Sequence, residues 1–445
     1  MAQSDPAVLL HLYWRLAPGE LFRLLQQQMG VLFRNGIYSA RVVIWMMMNQ
    51  RWQADGTLAR SVEQLVQGQF DPLLSRCKRV REKRIALATG GYCQARQNLP
   101  TLLVSHTVNE LLERLRNHIL EESGSSRPYR AYLLDGSSLQ LENCPELVRH
   151  YPPAENQYGR SHWPVVRIVV LHDLETGLAE RPYWGPMYGV EAVSEQGLAD
   201  LAMRPVPAGS VMVGDRNFGV FSIAYGAQQR GQGVVLRLTA ERAKALAGGP
   251  ISQAGDSALC WRASRWERAK RPALPAEASV TGRLIAWRVG RGKGKDWLYL
   301  FTTLNWLASE VVALYGKRWN IETDLRSLKQ TVRLERLEVH SREMMEKELL
   351  VAVLAYNFIR AIMCLAARRV DLEPRQLSFT WARNIVLDGY RRILSARTVR
   401  QQERELDRMI GLVSRCRLPR RTKRRTYPRA VWAVRQDFPP RREEN

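Results

Sequence analysis

Between residues 129 and 239 the chain alternates short apolar runs with segments of helical spacing, and two of the runs end against an aspartate. Tyr129–Asp135 (YRAYLLD) is a short β-prone run that closes on Asp135, and Ser210–Gly214 (SVMVG) is followed at once by Asp215. Val165–His172 (VVRIVVLH) has a buried-strand pattern and Gly233–Thr239 reads as a further strand. Glu191–Met203 and Phe218–Arg230 have helical spacing. Strands first, then strand–helix alternation, predicts a mixed α/β sheet with helices on its faces. Sheets of this class gather ligands outside the carboxyl ends of their strands. That makes Asp135 and Asp215 candidate functional acids, although a single Asp after a strand is most often a turn or cap residue.

The flanks have a different texture. Residues 1–125 look mostly helical: Ser39–Trp52, with Met46, Met47 and Met48, reads as a packed core segment, and Ser61–Phe70 and Leu102–Leu120 space Leu and Val helically. The polar stretch Glu121–Pro128 (EESGSSRP) is a plausible boundary. In 240–305, Gly, Pro, Ala and Trp are frequent, and β-prone runs lie at Arg283–Val289 and Trp297–Thr303. The basic, Gly-rich Arg288–Lys295 between them suits either backbone approach to phosphate or a plain hairpin turn. Helices are expected at Leu307–Arg333 and Ser341–Arg369. Within the latter, Leu349–Ala367 is apolar enough to span a membrane, but Asn357 and Arg360 near its centre favour a buried core helix.

A third candidate acid lies on the Leu307–Arg333 helix. Tyr315, Arg318, Glu322 and Lys329 are spaced by 3, 4 and 7 residues and fall on one helical face, beside an apolar face of Leu314, Ile321, Leu325, Leu328 and Val332. The spacing suits two interpretations: a functional stripe along the edge of the packing, or an ordinary solvated face with an Arg318–Glu322 pair of about 0.2–0.5 kcal/mol.

Charge narrows the class of partner. The chain has 67 Lys and Arg against 43 Asp and Glu, net +24, which points to a polyanion. Residues 391–445 hold 17 basic against six acidic side chains, and Arg415–Arg429 has eight basic residues and no acid. Pro419, Pro428, Pro439 and Pro440 argue for an extended basic tail that contacts phosphates, the alternative being a solubilising or non-specific one. At 45% hydrophobic residues the chain is not disordered. Six scattered Cys with no C-x-x-C pair exclude a disulfide scaffold and a structural zinc site of that type. The first residues show no secretion signal, so a reduced, soluble protein is expected.

Three acids in a basic protein have a chemical rationale. Magnesium is usually held by one or two carboxylates plus substrate phosphate. Two such ions about 3.5–4 Å apart support in-line phosphoryl displacement.

The pattern Tyr315-x2-Arg318-x3-Glu322-x6-Lys329 resembles the Tyr-Arg-Glu-Lys signature of bacterial insertion-sequence transposases of the IS-four group, DDE enzymes on an RNase H-like fold. Leu133-Leu134-Asp135-Gly136-Ser137-Ser138-Leu139 and Val213-Gly214-Asp215-Arg216-Asn217-Phe218 resemble the segments around the first and second catalytic Asp. Leu354–Arg360 (LAYNFIR) resembles the helix after the signature, and the likeness covers about residues 130–370.

The resemblance implies an assignment. Asp135, Asp215 and Glu322 would be catalytic and would bind two Mg²⁺ ions, with Mn²⁺ as a substitute. Tyr315, Arg318 and Lys329 would hold phosphates at the transposon end. Trp297 would stack on a flipped base, with core packing as the rival role. A mostly β insertion at about 240–305 would fill the long gap between Asp215 and Glu322. Asn217 stands where relatives often have Gly. Residues 1–125 would form a helical DNA-binding domain, with Gly90–Leu99 either opening a recognition helix or capping a core helix. Residues 126–370 would be the RNase H-like catalytic domain and 371–445 a helical, basic C-terminal region. The implied function is cleavage at element ends and strand transfer, on terminal inverted repeats and target DNA. It would be carried out by a homodimer in the bacterial cytoplasm at the nucleoid, with no membrane involved. The alternatives are a catalytically inactive DNA-binding regulator derived from such an enzyme, and a stand-alone metal nuclease.

Overall fold

The computed structural model describes residues 8–33, 36–74, 78–123, 129–157, 159–271, 274–289, 296–335, 337–396 and 398–419. Nine strands among them form one mixed sheet: β1 (Ala131–Gln140), β2 (Pro153–Asn156), β3 (Gly159–Asp173), β4 (Tyr183–Pro186), β5 (Val211–Gly214), β6 (Gly233–Arg237), β7 (Gly255–Arg262), β8 (Ser279–Val289) and β9 (Asp296–Thr302). The order is β2-β3-β1-β5-β6-β9-β8-β7, with β4 also paired to β3. β1, β5 and β6 run parallel, whereas β3 is antiparallel to β1 and β9 is antiparallel to β6.

Alternation along the strands makes the sheet two-faced. Leu133, Ile168, Val213 and Val235 face one apolar cluster with Ile285 and Leu300. Leu134, Met212, Leu236 and Phe301 face a second. The second cluster is closed by the helices Glu195–Met203 and Phe221–Gln229. The first is closed by Arg342–Arg368, which packs on the helices Thr101–Ser123 and Ala40–Trp52.

Helices Arg342–Arg368 and Ala40–Trp52 are apolar nearly all round, and each is accordingly buried on nearly every side. Met46, Met47 and Met48 are core residues, as expected. Among the described residues Arg342–Arg368 is the one helix long and apolar enough to cross a membrane, and 94% of its most apolar stretch is buried inside the protein. Its polar centre is satisfied by protein: Asn357 exchanges hydrogen bonds of 2.7 Å with both backbone groups of Ala179, and Arg360 pairs with Asp324.

Two sequence expectations change, and a third is given its place in the sheet. β1 does not end at Asp135 but runs on to Gln140, because antiparallel β3 keeps pairing after parallel β5 stops at the Leu134–Gly214 pair. The segment expected as one helix over Leu307–Arg333 is broken into Ala308–Gly316, a 3₁₀ turn at Lys317–Trp319, Asn320–Arg326 and a π turn at Ser327–Thr331. The β-rich 240–305 segment continues the same sheet, adding β7, β8 and β9 beyond β6. The basic stretch from residue 420 onward and residues 290–295 of the Gly-rich loop lie outside the described residues.

Candidate active site

The parallel register of β1 and β5 ends at Leu134 and Gly214, so Asp135 and Asp215 are the next residues along adjacent strands. Asp135 alternates with Leu134 and thus shares the face of Leu133, the face covered by the Glu322 segment. Gly214 has no room for a side chain: a Cβ there would meet Phe218 Cβ at 2.8 Å and Leu236 Cδ2 at 3.0 Å. The Asp135 carboxylate accepts the Gly136 N–H at 2.9 Å, and the Asp215 carboxylate accepts the Asn217 N–H at 2.8 Å.

The Tyr-Arg-Glu-Lys segment lies over this edge. Leu314, Ile321, Leu325 and Leu328 dock it into the first cluster. Lys329 Nζ donates to Ser137 Oγ at 3.2 Å and to the Ser138 carbonyl at 3.3 Å, just past Asp135 on β1. Arg318 is buried and its Nη2 donates to Glu322 Oε1 at 3.0 Å. Tyr315 is buried; this raises its hydroxyl pKa, against the pull of the Arg318 and Arg237 guanidinium groups. The Arg318–Glu322 pair is therefore real, but it sits within the site and not on a free helix face.

Anionic character is concentrated here. Burial pushes the Asp135 carboxyl up to about 6, with Asp215 and Glu195 adding to the rise and the Gly136 N–H and Arg318 opposing it. Among the described residues no three His, Cys, Asp or Glu side chains are gathered closely enough to form a ready metal cage. Glu322 is held by Arg318 at 3.0 Å. The donor set nevertheless fits a hard divalent cation: the acids supply only oxygen, and two of them stand at neighbouring register positions.

Trp297 is half-buried on β9, its ring stacked on Tyr299 at 6.0 Å and covered by the Arg288 guanidinium at 4.8 Å. β9 is antiparallel to β6, with Leu300 opposite Arg237. Trp297 therefore lies beyond the edge that carries Asp215, about 10 Å past Arg237 at roughly 3.3 Å per residue, and on the second-cluster face of the sheet, opposite to that of Asp135. Gly90–Asn98 is a helix with Tyr92 buried, and Arg96 in it pairs with buried Glu348 of helix Arg342–Arg368. Lys347 caps its end by donating to the Arg96 and Gln97 carbonyls. Tyr92 and Arg96 thus serve the core, while Gln94, Gln97 and Asn98 of the same helix are exposed.

Sequence reasoning passed over Glu195, Arg237 and Asp324. Glu195 follows the N-cap Ser194 and looks like an ordinary first-turn acid. Arg237 closes a strand, and Asp324 sits between apolar neighbours on a helix; only the register and the packing bring them to the site.

With this geometry in view, the comparisons with known proteins agree. Residues 126–358 match the family model described as a transposase DDE domain. Over 313 residues the chain is 28% identical to the transposase InsG for insertion sequence element IS4 of Escherichia coli (strain K12), covering 67% of this chain and 66% of that protein. A match over more than half of its length, spanning both aspartates, the Tyr-Arg-Glu-Lys segment and the strands that carry them, makes this chain a member of the DDE-domain transposase family.

Proposed function

We propose that this protein is an insertion-sequence transposase that cleaves DNA at element ends and joins them to a target. The observation that carries this is the placement of Asp135 and Asp215 side by side at the carboxyl edge, with the Arg318–Glu322 pair and Lys329 packed over the same face. The order β3-β1-β5-β6, antiparallel then parallel, supports an RNase H-like catalytic core. On this reading residues 126–370 form that core, with the strands after residue 240 as its insertion.

Asp135, Asp215 and Glu322 would hold two Mg²⁺ ions, for which Mn²⁺ would substitute; when bound, these supply charge neutralisation at the scissile phosphate and a more acidic water or hydroxyl. The remaining roles belong to side chains. Arg318 and Lys329 fix non-bridging phosphate oxygens, Arg by paired N–H donors and Lys as a point charge. The Tyr315 hydroxyl donates to phosphate from a buried position. Trp297 would stack on an unstacked base once the Arg288 guanidinium swings off its ring, a contact worth about 1–3 kcal/mol. A homodimer would hold the two terminal inverted repeats, with residues 1–125 and the basic C-terminal tail contributing DNA contacts. All three acids and the four-residue signature are intact, which favours the enzyme over a decayed regulator.

The test is cleavage of a duplex carrying the terminal inverted repeats that flank the gene, with Mg²⁺. Wild type should nick and then join strands. Asp215→Ala and Glu322→Ala should bind the duplex and leave it uncut; normal cleavage by either removes the assignment. Cutting without any joined product would favour the nuclease.

A further inference from the structure

Behind the two aspartates, on the other side of β1, the helix Glu195–Met203 directs its first side chain at the strand. Gly136 alternates with Asp135 and so faces the second cluster, from which Glu195 approaches. A Cβ on Gly136 would lie 1.9 Å from Glu195 Oε1, so the carboxylate occupies the space a side chain would need. The other oxygen of Glu195 accepts a hydrogen bond from Asn217 Nδ2. The next residue, Gln196, donates from Nε2 to both the Asn217 side-chain oxygen at 2.7 Å and the Asn217 carbonyl at 2.9 Å. Asn217 in turn donates its backbone N–H to the Asp215 carboxylate.

We propose that Glu195 and Asn217 form a clamp that seats the Asp215 loop against β1 at Gly136, making both of them positioning residues for the acid pair. Asp215 needs such help more than Asp135 does. Asp135 is held in β1 by a strand on each side up to Leu134 and by β3 beyond it. Asp215 lies one residue past the end of β5, in a turn closed by Phe218 N–H on its own carbonyl at 3.1 Å. Two like-charged carboxylates at neighbouring positions also repel, which pushes the freer of the two outward. Glu195 adds its own negative charge behind the pair, so what holds the Asp215 loop is the set of hydrogen bonds that anchors Asn217, not charge. The helix that delivers it is fixed in turn: the Ser194 hydroxyl accepts the Gly197 N–H at 3.0 Å, and Arg167 on β3 donates to the Val193 carbonyl at 2.7 Å.

The inference rests on the acid pair being the divalent-cation site, and its test separates the two. The full-length protein without DNA is titrated with Mn²⁺, and free Mn²⁺ is followed by electron paramagnetic resonance. Cleavage of the terminal-repeat duplex is measured in parallel, with thermal melts confirming folding. Glu195→Ala, Asn217→Gly and Gly136→Ala should each weaken Mn²⁺ binding about tenfold, as loss of a group that orients a ligand does. Glu195→Gln keeps an oxygen acceptor for Asn217 and should recover most of the affinity. Gly136→Ala combined with Glu195→Ala should be no worse than Gly136→Ala alone, because both disable one contact. If Asp215→Ala removes Mn²⁺ binding while the three clamp variants bind as wild type, the acid site stands and the clamp is overturned. Clamp variants that only lower the melting temperature also overturn it. If Asp215→Ala itself binds and cleaves normally, the reading of the acid site fails first.

Discussion

Asp324, two residues after Glu322, is fully buried and receives Arg360 Nη2 on one carboxylate oxygen at 2.8 Å and Arg375 on the other at 2.8 and 2.9 Å. Arg375 also donates to the Asp173 carbonyl at the end of β3, at 2.7 Å. The short helix that bears Glu322 is thus tied to the central helix and to the sheet through one carboxylate. Its flanking turns are irregular, so this tie and the apolar docking fix where Glu322 stands.

Removing that carboxylate should be costly. Asp324→Ala leaves two buried guanidinium groups without their common partner, a change that typically destabilises by about 3–5 kcal/mol. Urea denaturation would measure it. Arg375→Met, which leaves Asp324 paired with Arg360, should cost less. Equal losses in the two variants would mean that Arg360 alone does not hold Asp324 and would contradict this order.

His172 supplies an acid sensitivity. It is wholly buried with its ring 5.7 Å from that of Tyr356, and burial lowers its pKa from 6.5 to about 4, with Arg375 and Arg360 adding to the effect and Asp324 opposing it. Above the ordinary value both folded and unfolded chains carry neutral His172, so stability is unaffected. As pH falls through the window from 6.5 to about 4, the unfolded chain takes up a proton that the folded chain refuses, and stability drops. At pH 5 this amounts to about 2 kcal/mol. His172→Phe should remove that share, so denaturation midpoints of variant and wild type compared at pH 7 and pH 5 should diverge; parallel declines would contradict it.

Arg318 is predicted not to tolerate Lys. The buried guanidinium serves Glu322 and the Asp135 edge together, and an ammonium group lacks the planar fork needed for that. Arg318→Lys should lower the cleavage rate by at least tenfold while leaving duplex binding within about threefold. Lys329→Ala should lose its bonds to Ser137 and Ser138 and slow cleavage comparably. Single-turnover cleavage and gel-shift titration separate rate from binding.

Trp297→Ala should slow any step that needs an unstacked base by about tenfold, in line with the 1–3 kcal/mol of aromatic stacking. Trp297→Phe should recover part of it. The residue is only half-buried, so the melting temperature should shift little. A fluorescent base analogue placed at the element end would report the unstacking directly; an unchanged signal in Trp297→Ala would return the residue to a packing role.

The strands around the two aspartates were legible because buried strands write their pattern locally: Val165–His172, Ser210–Gly214 and Gly233–Thr239 all fall within or beside observed strands. The limits of β1 were not, since its last six residues, Asp135 to Gln140, are held by β3 alone and contain Gly and Ser. The Tyr315–Lys329 spacing singled out side chains of which Arg318 pairs with Glu322 and Lys329 reaches β1, yet a uniform helix was the wrong vehicle for them. Nothing in the residues announces the 3₁₀ and π turns, which flank the helix of buried Leu325 and ion-paired Asp324. Glu195 was illegible for another reason: its partners are Gly136 and Asn217, 59 residues behind it and 22 ahead, and only the fold makes them neighbours.

The β7–β9 strands are hydrogen-bonded into the central sheet through β6, not hung from it on a linker. Backbone pairing runs unbroken from Asp215's strand through β6 to the strand of Trp297. The sheet therefore works as a ruler. The span from the Asp215 end of β5 to Trp297 is fixed by strand spacing within one sheet, with no joint between them.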